Sequence, residues 1–314
     1  VVELLLASSD IDVNANQALM TGGCSPLYMA CREGHVPIVE LLLASSGIDV
    51  NANQALMTGG WSGIDVNQAE TTIGCSPLYI ACLKGYASVV ELLLASSGIN
   101  VNQAETTHGY TPLSVACLKG YTPVVKLLLA SSGIDVNQAE TTNGTAPLVQ
   151  ACQEGHASVV KLLLASSEID VNQPKTDNGC PPLWMASYNG HAPVVELLLA
   201  SSEINVNQPM TTDGCTPLWQ ACNDGHASIV ELLLTSSVID VNQARTTDGC
   251  TPLFMACLNG HAPIVELLLA SSDIAVNQAW TTDGATPLYM ACQNGHTPVV
   301  KLLLASSEIN VNQP

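Results

Sequence analysis

The chain has 314 residues, 47% of them hydrophobic and only 11% charged, and its 27 acidic against 8 basic side chains give a formal charge of −19. Phosphate repels such a chain, which excludes nucleic acid and anionic membrane as partners and favours a protein partner with a basic surface. Apolar runs are broken within a few residues by Glu or Lys, as at Val89-Val90-Glu91-Leu92, so no membrane-spanning segment is predicted.

Taken in order, residues 1–9 (VVELLLASS) read as the second helix of a unit whose first half is missing. A first full helix pair follows at 24–46. The tract NANQALMTGG then occurs twice, at 14–23 and 51–60, and GIDVN begins at both Gly47 and Gly63. Pro26 and Pro77 are 51 residues apart, 16 more than the later spacing of 35, so a partial duplication is expected to form an inserted hairpin finger at 47–62. From Pro77 onward the spacing is strict: Pro112, Pro147, Pro182, Pro217, Pro252 and Pro287 each follow after 35 residues, which makes seven regular units over 74–314. The whole is expected to be a single array, part of a longer one, with ends able to self-associate end to end because no polar capping unit closes them. No signal peptide is read at its start, so an intracellular, cytoplasmic setting is expected.

One unit, residues 213–247, shows the logic: DGCTPLWQACNDGHASIVELLLTSSVIDVNQARTT. Thr216 is a hydroxyl N-cap before Pro217, whose fixed φ and missing N–H suit the first helical position. Leu218, Ala221 and Cys222 recur at i, i+3 and i+4 on one face, and Gly225 supplies the left-handed residue that stops the helix. A second helix over about 227–235 is apolar nearly all round, so it must be covered on several sides. The Ile-Asp-Val-Asn-Gln stretch then runs as an arm into a hairpin at Asp248-Gly249. Two units lack the hydroxyl cap, with Ala146 and Pro181 in its place; each loss costs about 1 kcal/mol, so these units are expected to be the softest of the interior.

The string G-x-T-P-L-x-x-A-C-x-x-G-H-x-x-[VI]-V-x-L-L-L, followed by I-D-V-N, resembles the ankyrin repeat over essentially the whole chain. The resemblance implies an all-α solenoid of stacked helix-turn-helix pairs with projecting hairpin loops, whose hairpins and first helices form a concave protein-binding face. Two departures stand out. Each unit has two residues more than the usual 33, and the His that usually follows Pro-Leu is replaced by Tyr28, Tyr79, Ser114, Val149, Trp184, Trp219, Phe254 and Tyr289.

The twelve cysteines fall at two repeat positions, before the Thr-Pro and inside the first helix, where the ankyrin pattern has Ala. They read as small buried hydrophobes in a reduced protein. Cys-x-x-x-His recurs at Cys31/His35, Cys152/His156, Cys222/His226, Cys257/His261 and Cys292/His296, but Tyr86 and Tyr121 replace the His elsewhere, so no metal site is expected. Catalysis needs a nucleophile, a base and an orienting group meeting once in space, whereas an array offers the same groups again and again along a line; neither catalytic residues nor a cofactor are expected. Asn102, Asn137, Asn172 and Asn242 close the D-V-N pattern and read as turn-stabilising side chains.

Six of only twelve aromatic residues occupy the position after Pro-Leu, at the border of the buried stripe. The hairpin position varies too: Glu70, Glu105, Glu140, Lys175, Met210, Arg245 and Trp280. Variation where neighbouring positions hardly change implies that packing does not dictate these sites. The expected partner-binding residues are therefore Tyr28, Tyr79, Trp184, Tyr188, Trp219, Phe254, Tyr289, Met210, Arg245 and Trp280, with the later units dominating. Aromatics that only fill grooves between units are the competing reading. The expected function is a protein-interaction scaffold; the alternatives are a mechanical spacer or a targeting arm of a larger protein.

Overall fold

The computed structural model describes residues 23–44 and 64–312. The truncated unit at 1–9 and the finger at 47–62 lie outside the described residues. Those described form sixteen helices, in pairs, and no strand. Contacts divide the chain into two compact units, one reaching to Ala151 and adding Lys161–Ile169, the other comprising Cys152–Val160 and Asp170–Pro314.

The first unit holds α1 (Pro26–Glu33) with α2 (Val36–Ala44), α3 (Pro77–Lys84) with α4 (Ala87–Leu94), and α5 (Pro112–Lys119) with α6 (Thr122–Leu129). Helices α7 (Pro147–Gln153) and α8 (Ala157–Leu164) are each divided between the two units. The second holds α9 (Pro182–Tyr188) with α10 (Ala192–Leu199) and α11 (Pro217–Asp224) with α12 (Ala227–Leu234). It continues with α13 (Pro252–Leu258) and α14 (Ala262–Leu269), then α15 (Pro287–Gln293) and α16 (Thr297–Ala305). Within each unit first helices pack on first helices, as α9 on α11, and second helices on second, as α10 on α12.

Local chemistry sets the bounds. The Thr216 hydroxyl accepts the Trp219 N–H at 3.1 Å, Pro217 opens α11, and Gly225 closes it with φ 80° while its N–H bonds to Ala221 O. Ser25, Ser76, Thr111, Thr251 and Thr286 cap their helices in the same way. Pro181 makes no such bond before α9. Leu218, Ala221 and Cys222 of α11 meet Ile229, Val230 and Leu233 of α12 in a fully buried core. Each such burial is worth about 1.5–3 kcal/mol for the large side chains. Leu232 and Leu234 are only half-buried, so the second helix is covered on fewer sides than its composition suggests.

Within each unit, three columns of side chains stitch one repeat to the next. The first is asparagine: Asn207 Nδ2 donates to Val238 O at 2.7 Å and its Oδ1 accepts the Asp240 N–H at 2.9 Å. Asn172 and Asn242 do the same toward Glu203 and Asn205, and toward Asp273 and Ala275. In the first unit Asn67 and Asn102 do so toward Gly98 and Asn100, and toward Gly133 and Asp135. The residue two before each Asn holds its own turn; Asp240 Oδ1, for instance, accepts the Asn242 N–H at 3.0 Å. This explains the pairing of Asp or Asn with Asn in D-V-N.

The second column is the residue after the first-helix glycine. The His261 ring covers Gly225 so closely that a Cβ there would lie 2.8 Å from its Cε1, and His261 Nε2 sits 3.2 Å from Asn223 O. His191, His226 and His296 repeat both contacts in the second unit, and Tyr86 and Tyr121 cover Gly34 and Gly85 in the first. The third column is hairpin threonine: Thr246 donates through N and Oγ1 to Asp213 O at 3.0 and 2.8 Å and covers Gly214.

Replacing Asn207 by Ala removes both of its bonds to the next repeat and leaves a backbone donor and acceptor to water. We expect a loss of about 1–2 kcal/mol in urea unfolding. Asn207→Asp keeps the acceptor and loses the donor, so it should fall between wild type and Asn207→Ala; equal midpoints for all three would show that the asparagine column does not hold the stack.

Candidate interaction surface

From α3 onward, each first helix is preceded by a hairpin closed by the same backbone bond, as from Glu105 N to Tyr110 O at 3.0 Å and from Arg245 N to Cys250 O at 2.9 Å. Two different side-chain chemistries stabilise the turn inside it. In the first unit the carboxylates of Glu70, Glu105 and Glu140 are buried and turn inward. Glu105 takes the N–H groups of Thr107, His108 and Tyr110 at 2.6, 2.7 and 3.3 Å, and Glu140 those of Thr142, Asn143 and Thr145. Glu70 takes those of Thr72, Ile73 and Cys75 and the Thr72 hydroxyl. Burial alone would raise these carboxyls, but the converging hydrogen bonds outweigh it and hold all three below the usual carboxylate range.

In the second unit the turn is held by the residue three further on. Asn178, Asp213, Asp248 and Asp283 accept the N–H of Cys180, Cys215, Cys250 and Ala285 at 3.0–3.1 Å. The position of the buried Glu is thereby released to Lys175, Met210, Arg245 and Trp280, all half-buried. The expectation that packing leaves this position free does not hold in the first unit, where the carboxylate is tied into the turn; in the second, Arg245 bonds to Asp248 and Trp280 packs on Phe254. Sequence reasoning missed the three glutamates; the signal was the Glu shared by the early hairpins at a position where the late ones have Lys, Met, Arg and Trp.

The aromatic row lies deeper than a border position suggests. Trp184 and Trp219 are 7% and 3% exposed, and Tyr28, Tyr79 and Phe254 are buried as well. The reason is lateral: α3 packs between α1 and α5, and α11 between α9 and α13, and such neighbours close over the edges of the stripe. Trp219 and Phe254 share one core cluster with Cys215, Cys250, Met255 and Ala285, and Trp219 Nε1 donates to Cys250 O at 2.9 Å. These five side chains support the surface from beneath. Tyr188, at 49%, is exposed on it; Tyr289, at 52%, lies on α15, after which no further first helix is described.

Hairpin side chains of one repeat reach over the first helix of the repeat before. The Arg245 guanidinium lies 4.7 Å from the Trp219 ring centroid and pairs with Asp248, and Trp280 tilts against Phe254 with ring centroids 5.8 Å apart. Trp184 and Tyr188 stack on each other at 5.2 Å. Met210 closes a groove of about 400 Å³ above them, lined also by Gln153, Asn178, Cys180, Met185 and Asn189. Among the described residues no group of three His, Cys, Asp or Glu is placed to hold a metal. The imidazoles of His191, His226, His261 and His296 are spent on the glycine column.

The stacked pairs, the capped Thr-Pro-Leu starts and the glycine stops correspond to a known repeat. Matched against protein-family profiles, the chain fits "Ankyrin repeats (3 copies)" over residues 54–140, 137–210, 202–279 and 218–314, and "Ankyrin repeat" over 22–54. The chain belongs to the ankyrin-repeat family. No curated protein shows a significant match to it. Ankyrin repeats are in general protein–protein interaction modules. No helix among the described residues is long and apolar enough to cross a membrane.

In this ankyrin array the glutamate hairpins have a testable acid sensitivity. A carboxyl whose folded pKa is lowered contributes stability that is present above its unfolded value near about 4.3 and is lost as pH falls through the folded one. Glu105→Gln should therefore lower stability by about 2 kcal/mol at pH 7. The gap to wild type should close as the solution is acidified below about pH 4. A gap independent of pH, followed by thermal unfolding from pH 7 to 3, would show that the charge is not what holds the hairpin.

Proposed function

We propose that this ankyrin array is an interaction module that takes a protein partner across its hairpins and first helices and has no catalytic step of its own. One observation carries the reading: in the second unit the non-repeating side chains Tyr188, Met210, Arg245 and Trp280 gather where each hairpin overlies the preceding first helix. The positions beneath are given over to packing. A mechanical spacer has no use for such inequality among units. A targeting role within a larger protein is compatible with the same surface.

The excess of acids supports a partner with a basic surface. Burial pushes the Cys31 thiol up to about 12 and raises those of Cys82, Cys117, Cys222 and Cys257 as well, which suits inert core thiols in a reducing, intracellular, cytoplasmic setting. Tyr289 and Leu304, exposed on α15 and α16, are where a second copy would seat in end-to-end association.

Hydrogen exchange of a complex captured from lysate tests the site. Protection is expected on the hairpins at 175–180, 210–215, 245–250 and 280–285 and on α9, α11 and α13, with α10, α12 and α14 unchanged. Tyr188→Ser should weaken capture by about tenfold or more, the effect of a truncated hot-spot aromatic, without lowering the melting temperature. Protection confined to the second helices would place the partner on the opposite side and refute the assignment.

A further inference from the structure

Two successive repeats of the second unit carry one constellation with a single member changed. In the later one, Arg245 reaches from its hairpin over the Trp219 ring, and its Nε donates to Asp248 Oδ1 at 3.0 Å while Nη2 bonds to Oδ2. It is close enough to Cys215, in the hairpin before, to act on that thiol. Thirty-five residues earlier the same places are held by Met210, Trp184, Asp213 and Cys180. Here the aromatic floor is larger, because Tyr188 stacks on Trp184, whereas the corresponding residue in α11 is Asn223.

Where the guanidinium would lie there is instead the groove of about 400 Å³ lined by Cys180, Trp184, Tyr188 and Met210. No charged side chain lines the groove itself. Asp213, three residues after the lining Met210, accepts the Cys215 N–H at 3.1 Å, and neither it nor the exposed Glu154, beside the lining Gln153, forms an ion pair among the described residues. The cation of the neighbouring hairpin, Lys175, is 3.6 Å from Asp177. The Trp184 indole N–H is buried without an acceptor, while its counterpart in Trp219 has Cys250 O.

Resting on the interaction surface above, we propose that this groove receives an arginine side chain from an extended segment of the partner protein. The guanidinium stacks on the Trp184–Tyr188 pair and forms with Asp213 the ion pair that Arg245 forms with Asp248 in cis. Arginine is specified over lysine because a planar guanidinium stacks on a ring face and bonds to a carboxylate in two places at once, which an ammonium cannot do. The net charge of −19 favours the approach of such a segment.

The test uses the whole chain and three capped nonapeptides of Ala, Ser and Gly that carry a single central Arg, Lys or Leu. Binding is followed through the indole N–H resonances of the tryptophans. The Arg peptide should shift the Trp184 signal and bind about tenfold more tightly than the Lys peptide, the difference stacking provides. Asp213→Asn should weaken it by a similar factor. Met210→Arg should fill the groove from within, raise the melting temperature and reduce binding of the Arg peptide by more than about tenfold. Should Met210→Arg fail to fold, Tyr188→Ala removes the exposed half of the floor and should give the same loss. Equal binding of all three peptides, or an Arg peptide that binds Met210→Arg as it does wild type, overturns the proposal. Partner capture that survives Met210→Arg but fails in Tyr188→Ser also removes the arginine pocket and leaves the wider interaction surface standing.

Discussion

The constraint on which this structure depends is that no repeat can satisfy its own backbone. The arm after each second helix is not part of any sheet, so its N–H and C=O groups must find partners elsewhere. Asparagine provides them from the preceding repeat: Asn207 bonds to both Val238 O and Asp240 N, and its own N–H is held by Asn205 Oδ1 at 3.2 Å. One side chain thereby ties the turn of one repeat to the arm of the next. The threonine and histidine columns do the equivalent at the hairpin and at the end of the first helix, each by covering a glycine whose backbone no Cβ shields. Stability then accumulates between neighbours, as it must where there is no central core.

That arrangement confines chemical freedom to a few places. In the second unit an aspartate or asparagine three residues on holds the hairpin turn, and the position before the Thr can be Lys, Met, Arg or Trp. In the first unit a buried glutamate performs the same task and the position is lost to recognition. The two units therefore differ in what they can offer a partner although their helices follow one pattern. The early hairpins are closed around carboxylates, while the late ones present an aromatic, thioether and guanidinium surface above Trp184, Trp219 and Phe254.

The helices, their starts at Ser or Thr before Pro, their glycine stops and the buried Leu-Ala-Cys stripe were legible because each depends on residues within about one turn of the helix. The roles of Asn172, His226, Thr246 and Glu105 were not, for two reasons. Asn172, His226 and Thr246 act on backbone groups 31 to 38 residues away, which one repeat read alone does not display. Glu105 acts locally, but its function emerges only on comparison with hairpins that do without it. The aromatic row lies deeper than a border position implies, since a helical wheel gives the angle of Trp219 but not the neighbouring helices that close over it. Tyr188, one turn further on, escapes that cover and remains exposed.

If the asparagine column is what binds repeat to repeat, it must show in the amides it accepts. Asn100, Asp135, Asn205, Asp240 and Ala275 lie in irregular arm segments, yet each donates its N–H to an Asn side chain 33 residues earlier. Residue-resolved amide hydrogen exchange on the intact chain is the direct measurement. The account predicts that these five amides exchange as slowly as those in the middle of the second helices and that Asn207→Ala frees Asp240 first. Exchange at the rate of the unbonded arm amides beside them would contradict it.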